Sequence, residues 1–198
     1  FGIFVQHGFA RRHPSDNKGR NVALIVAPDG TVLADYEKIH PFSHGREGEF
    51  YTGGDQLSLA RCGEATVCPL ICYDLRFPEL WRLAVTRFPP AEIFTIGASW
   101  PKARQHHWRS LIVARAIENQ AFVVAVNRIG HDPHLRYQGG SLIVSPKGEI
   151  LADADESPTV LQADLSLNDI QAWRNEFAAL RDIRANHLGS IRIDVSRG

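Results

Sequence analysis

Cys72 ends the apolar run 66–71 and is followed by Tyr73-Asp74-Leu75-Arg76-Phe77-Pro78-Glu79-Leu80, a segment able to start a helix. A thiol at a strand-to-helix turn stands where backbone N–H groups point outward, a setting that favours both a thiolate and an oxyanion. On an alternating strand Cys68, Leu70 and Cys72 share a face, with Cys72 at the carboxyl end, where α/β sheets gather their ligands. Burial as an inert small hydrophobe is the commonest fate of a cysteine, and Cys68, inside the strand, fits that reading better. Cys62, between Arg61 and Gly63, reads as a loop or edge thiol. An unperturbed thiol has a pKa of roughly 8.5, so only a few per cent is ionised at neutral pH. A helix N-terminus and a nearby cation raise that fraction; Lys38, Arg76 or another basic group is the candidate.

Lys38 sits in Tyr36-Glu37-Lys38-Ile39-His40-Pro41-Phe42, on the strand face of Tyr36 and His40. A lysine at a strand end is ordinarily solvated. Set beside Cys72, its ammonium would stabilise the oxyanion formed when a thiolate attacks a carbonyl or nitrile carbon.

The elements that must position these two residues can be read from pattern. Residues 1–7 read as a strand and 8–19 as a polar loop. Residues 21–27 form a buried strand, turned by Pro28-Asp29-Gly30 into a second hairpin arm over 31–36. Residues 40–55, rich in Gly, His and Glu, form a long loop of the kind that often carries function. A strand over 66–71, a helix over 78–88, a strand over 92–98, a helix over 102–120 and a strand over 121–127 follow. That alternation implies an α/β fold with crossover connections. Short strands over 141–145, 149–154 and 159–163 then suggest an antiparallel part. A helix over 167–177 has Asp164 or Ser166 as its N-cap. The tail beyond Asp182 is polar and weakly patterned. Together these predict one domain over 1–198, a mixed-sheet α/β sandwich with a tail at 183–198.

Composition narrows the function. Lys and Arg total 22, as do Asp and Glu, so charge supplies no case for nucleic acid or an anionic membrane surface. No apolar run approaches a membrane span of about 18 residues. Three cysteines, an odd number without a visible signal peptide, point to a reducing, cytoplasmic setting. Their spacing matches no common zinc pattern. Pro41 keeps His40 and His44 off one regular helix, and no third ligand is placed by motif, so a metal site is not expected. His106 and His107 open a helix on which Trp108, Leu111, Ile112 and Arg115 share a face, and Trp108 reads as core. Arg109 and Arg115 are candidates for ion pairs with Glu118 or Asp132. Gly53-Gly54 and Gly139-Gly140 read as turns. The chain contains no Met and opens in mid-strand, which predicts a segment upstream of Phe1.

The Lys38 segment followed by Cys72-Tyr73-Asp74-Leu75-Arg76-Phe77-Pro78-Glu79 resembles the nitrilase superfamily of carbon–nitrogen hydrolases. Further similarity lies in 21–36, the loop 45–54, Ala98-Ser99-Trp100-Pro101, Ala114-Arg115-Ala116-Ile117-Glu118-Asn119-Gln120 and Pro146-Lys147-Gly148, so it runs over about residues 1–183. The resemblance implies an αββα sandwich lacking its N-terminal strands and helix, and a cysteine nucleophile at Cys72 with the family lysine at Lys38. The supporting glutamate falls on Glu47, with Glu49 as the fallback. The oxyanion hole would combine the Lys38 ammonium and the Tyr73 N–H, with Ser99 and Trp100 lining the substrate pocket. No metal or organic cofactor is implied, and a homodimer or higher homo-oligomer is.

The family's general-base glutamate has no counterpart here: Asp16 lies in a polar loop and Glu37 adjoins the lysine. The resemblance therefore places that base ahead of Phe1, and without it the chain would be an inactive binding protein. The segment 176–182 resembles the family's closing stretch but lacks its usual proline. Tyr-Asp after the cysteine resembles the amidase and omega-amidase-like branches, which implies a small amide substrate such as a dicarboxylic acid monoamide. N-carbamoyl amides and nitriles are the alternatives.

Overall fold

The computed structural model describes residues 2–14, 17–184, 186 and 192–196; Asp16 lies outside them. The chain begins as an antiparallel meander of β1 (Val5–Arg12), β2 (Gly19–Val26) and β3 (Val32–Glu37), paired in the order β1-β2-β3. The β2–β3 hairpin is the one expected from Pro28-Asp29-Gly30. The predicted loop over 8–19 is instead mostly strand, with β1 pairing from Val5↔Val26 to Arg12↔Gly19. Its side chains are largely exposed on both faces, so no hydrophobic alternation announces it. Backbone hydrogen bonding alone makes it a strand.

The predicted long loop over 40–55 contains a short turn and α1 (Glu47–Phe50). It closes back on β3 through the Gly54 N–H, which donates to the Lys38 carbonyl at 2.9 Å. A Cβ on Gly53 would stand 2.5 Å from the Ile39 carbonyl oxygen, and one on Gly54 2.6 Å from that of Glu37. The glycine pair therefore serves close backbone approach to the Lys38 segment.

From here strand and helix alternate. They are β4 (Gln56–Cys62), β5 (Ala65–Ile71), α2 (Pro78–Thr86), β6 (Ile93–Ala98), α3 (Gln105–Asn119) and β7 (Phe122–Asn127). The chain then adds β8 (Ile129–His131), β9 (Arg136–Gln138), β10 (Leu142–Val144), β11 (Ile150–Asp153), α4 (Leu167–Glu176) and β12 (Arg192–Ser196). The large sheet has seven strands in the order β11-β10-β7-β6-β5-β4-β12. It is mixed, because β5, β6 and β7 run parallel while β4 pairs antiparallel with β5 and β10 antiparallel with β7. Pro69 is tolerated within β5 because the β4 ladder ends at Val67, before the residue that has no N–H to give.

Two further expectations change. Residues 159–163 form no strand; β11 ends the sheet on that side, and Val160 is 93 % exposed. Alternation without a partner strand is insufficient. β12, in the polar tail, pairs parallel with β4. The α4 N-cap is Ser166, whose Oγ accepts the Asp169 N–H at 3.2 Å. Arg115 pairs with Glu118, whereas Arg109 pairs with Asp153 rather than with Glu118 or Asp132.

The core lies in two layers. One cluster joins Leu70, Phe94, Ile96 and Val123 of the large sheet to Trp81, Leu83 and Ala84 of α2 and to Trp108, Ile112 and Ala116 of α3. A smaller one packs Ile25, Leu33 and Ala34 of the meander on Ala60 and Val67. Among the described residues no helix is long and apolar enough to cross a membrane. Phe94 is fully buried with its ring 4.5 Å from that of Trp81. Phe94→Ala is expected to cost about 3–5 kcal/mol of stability, measured by urea unfolding at constant m.

Candidate active site

Where the meander meets β5, β6 and β7, a cavity of about 790 Å³ opens. Cys72, Lys38, Glu47, Tyr73, Ser99 and Trp100 all line it, so every expected site residue faces one space. The turn after β5 is a five-residue 3₁₀ helix over Cys72–Arg76, not the first turn of α2. Cys72 enters it at φ 45, a left-handed conformation a non-glycine residue adopts at a cost of about 1–3 kcal/mol.

Lys38 is 4 % exposed, and its Nζ donates to Glu47 Oε2 at 2.5 Å. Glu47 also accepts the Phe42 N–H at 2.6 Å and the Asn21 Nδ2–H at 3.1 Å. Burial alone would raise this carboxyl, but hydrogen bonds from Lys38, Phe42 and Asn21 outweigh it and hold the group below its ordinary value. Glu49 is held by Arg46 in an exposed pair instead. The choice between the two glutamates thus follows from which one reaches the buried ammonium.

Burial pushes the Cys72 thiol up. The Lys38 charge and the Ser99 backbone N–H pull it down, Glu47 and Asp74 push it further up, and the balance stays above the ordinary value. A cation and a helix start do not suffice, contrary to the sequence expectation, because desolvation is the larger effect here. The thiol therefore needs a proton acceptor in order to attack. Glu47 is the sole carboxylate among the described residues lining the cavity, and it already accepts three donors. Cys68 is fully buried, its thiol raised by that burial.

Other features go beyond the sequence reading. Arg104 lines the cavity together with Arg76, which the sequence offered as a cation beside the thiol. The Arg76 guanidinium lies 4.6 Å over the Trp100 ring and that of Arg104 5.6 Å over Phe42. Tyr137, on the β8–β9 hairpin, supplies another wall, its hydroxyl donating to Asp132 Oδ2 at 2.5 Å. Burial and that bond push its phenol up to about 12. Asp74, fully buried, accepts hydrogen bonds from Tyr36, His40 and Ile71. An acid between Tyr73 and Leu75, two residues after the thiol, was a signal for it; nothing in sequence flagged Tyr137.

The carbon–nitrogen hydrolase family model matches residues 1–175. The chain belongs to the carbon–nitrogen hydrolase family. It is 40 % identical over 164 residues to an omega-amidase of Yersinia enterocolitica, covering 82 % of this chain and 62 % of the relative. It is 37 % identical over 171 residues to a hydrolase in the agr operon of Staphylococcus aureus, covering 85 % and 65 %. The chain thus spans 62–65 % of the length of these relatives. A CN-hydrolase superfamily protein from Xanthomonas campestris, solved with an arsenic adduct in its active site, superposes with a TM-score of 0.86. That likeness has 31 % identity and covers 92 % of this chain and 69 % of the other. The mixed α/β sandwich expected from sequence is the carbon–nitrogen hydrolase fold.

Within this hydrolase fold the Lys38–Glu47 pair links pH to stability. A carboxyl lowered by folding contributes stability that is present above its unfolded pKa and lost as pH falls through its folded one. The melting temperature is therefore expected to fall as pH drops below the ordinary carboxylate range of roughly 4.3. Glu47→Gln should flatten that slope and be about 3 kcal/mol less stable near neutrality, where Lys38 is left buried without a counter-charge.

Proposed function

We propose that this chain carries the thiol machinery of an amidohydrolase that cleaves the C–N bond of a small carboxylate-bearing amide. The observation that carries this reading is the convergence of Cys72 with the buried Lys38–Glu47 pair on one cavity. The Cys72 thiol gives its proton to a general base, which by the resemblance is a glutamate. Sγ then bonds to the amide carbonyl carbon, and the carbonyl electrons move onto oxygen. The Lys38 ammonium and the Tyr73 backbone N–H hold that oxyanion. The C–N bond breaks as the base returns its proton to nitrogen, and ammonia or an amine leaves a thioester on Cys72. Water, deprotonated by the same base, adds to the thioester and releases the carboxylic acid and the thiol. Glu47 holds Lys38 in place throughout.

The cavity wall supports this substrate class. Among the described residues neither Arg76 nor Arg104 pairs with a carboxylate; their guanidiniums lie over the Trp100 and Phe42 rings and Arg76 contacts His107. Burial and the like charge of Arg104 hold the Arg76 guanidinium below its ordinary value, a cost that an anionic ligand group offsets. A dicarboxylic acid monoamide presents such a group at the end opposite its amide, and the omega-amidase relative accords with it. We place the protein in the cytoplasm as a homo-oligomer on the resemblance and on its free cysteines.

A thiol-directed amide analogue is expected to label Cys72 much faster than Cys62 and Cys68, read by peptide mass spectrometry; equal, slow labelling of all three rejects the nucleophile. With the natural gene product, ammonia release from a dicarboxylic acid monoamide is expected to exceed that from an N-carbamoyl amide or a nitrile, and to vanish in Cys72→Ala. Arg76→Gln should raise KM for the anionic amide roughly tenfold, the worth of a hydrogen bond between charged groups, and leave that for its neutral ester nearly unchanged.

A further inference from the structure

Asp74 is fully buried and does not line the cavity, so it is out of reach of a bound substrate. Its Oδ2 accepts the Tyr36 hydroxyl at 2.7 Å and the Ile71 N–H at 3.1 Å. Its Oδ1 accepts the His40 N–H at 3.1 Å and lies 3.1 Å from His40 Nδ1, a further donor when that nitrogen carries its proton. These partners are not scattered. Tyr36 and His40 bracket Lys38 along the chain, and Ile71 directly precedes Cys72. The Asp74 carbonyl in turn accepts the Phe77 N–H at 3.1 Å and the Trp81 Nε1–H at 3.3 Å, tying the turn to α2. His40 is held from its other side by a ring stack on Phe77, centroids 3.6 Å apart.

A buried carboxylate without donors is costly, so the donors are bound to it and carry their segments with them. The left-handed backbone of Cys72 needs such support, since a residue stays in that region only when its surroundings over-determine it. We propose that Asp74 is a positioning residue, whose carboxylate fixes the Lys38 ammonium against the Cys72 sulfur by binding the two segments that carry them. The proposal rests on the amidohydrolase reading only in taking Cys72 as the reactive thiol.

The test is the sign of one shift. The groups facing Cys72 are Lys38 at the end of β3, Glu47 on α1, Asp74 and Arg76 in its own turn, and Tyr137 on β9. Asp74→Asn keeps the shape, removes a negative charge, and sets an amide NH₂ against donors that the carboxylate accepted. If Asp74 acts only through its charge, losing it eases ionisation and the thiol titrates lower. If it positions Lys38, losing it frees the ammonium and the thiol titrates higher. The measurement is the rate of iodoacetamide alkylation of Cys72 against pH, followed on the Cys72 peptide, with circular dichroism to verify folding. An upward shift of about half a unit or more is expected; an unmoved or lowered profile overturns the proposal. Tyr36→Phe removes the hydroxyl that joins Asp74 to the Ile39 N–H, at 3.3 Å, and leaves every charge in place. It is expected to give a smaller upward shift, and if Asp74→Asn does not fold, an unmoved profile in Tyr36→Phe overturns the proposal. Alkylation needs no amide cleavage. A natural gene product that titrates as expected but hydrolyses no amide defeats the amidohydrolase reading and leaves Asp74 in its role.

Discussion

Two charged groups stand in the interior where the meander meets the large sheet, and neither can be there alone. Lys38 is 4 % exposed and Asp74 not at all. Moving a charge out of water costs several kcal/mol unless partners replace the lost hydration. The chain supplies Glu47 for the ammonium, and for the carboxylate the Tyr36 hydroxyl, the Ile71 N–H and the His40 N–H. Those partners are spread over β3, the loop beyond it, α1 and the end of β5. Satisfying two charges therefore orders the whole edge of the cavity. Loop 40–55 is ordered by this requirement more than by core packing, since α1 buries no residue.

The same desolvation governs the chemistry. It strengthens the Lys38–Glu47 attraction and any oxyanion contact, yet it pushes the Cys72 thiol above its ordinary value. A raised thiol reacts slowly with electrophiles unless a base takes its proton. The arginines at the wall extend the logic. They lie over aromatic rings and lack carboxylate partners among the described residues, so an anion that enters finds donors not already spent.

The parallel part of the fold was legible because β5, β6 and β7 are apolar runs separated by helices of ordinary length. Strands that the hydrophobic pattern does not mark were not. β1 is exposed on both faces, and β12 lies in a polar tail; each exists because a neighbouring strand offers unpaired backbone groups. Residues 159–163 fail the opposite way, with the right alternation and no strand beside them. In the site, Cys72 and Lys38 were legible from two ordered motifs. The resemblance favoured Glu47 with Glu49 as the fallback, but two acids two positions apart in a loop differ chiefly in which way the folded chain turns them, and it is Glu47 that meets Lys38. Tyr137 was invisible, since nothing local says that a hairpin after β7 reaches back over the cavity.

Sequence by itself determined the alternation of β5, β6 and β7 with helices, the turn that holds the thiol, and the candidacy of Cys72 and Lys38, because each of these is carried by a local pattern or a short motif. Only the tertiary structure decided which glutamate meets Lys38, that two arginines and a tyrosine wall the cavity, and that Asp74 ties the lysine segment to the cysteine turn. Those facts depend on distances between residues far apart in the chain. Such distances are set by how two sheets stack and by where buried charges can find their partners.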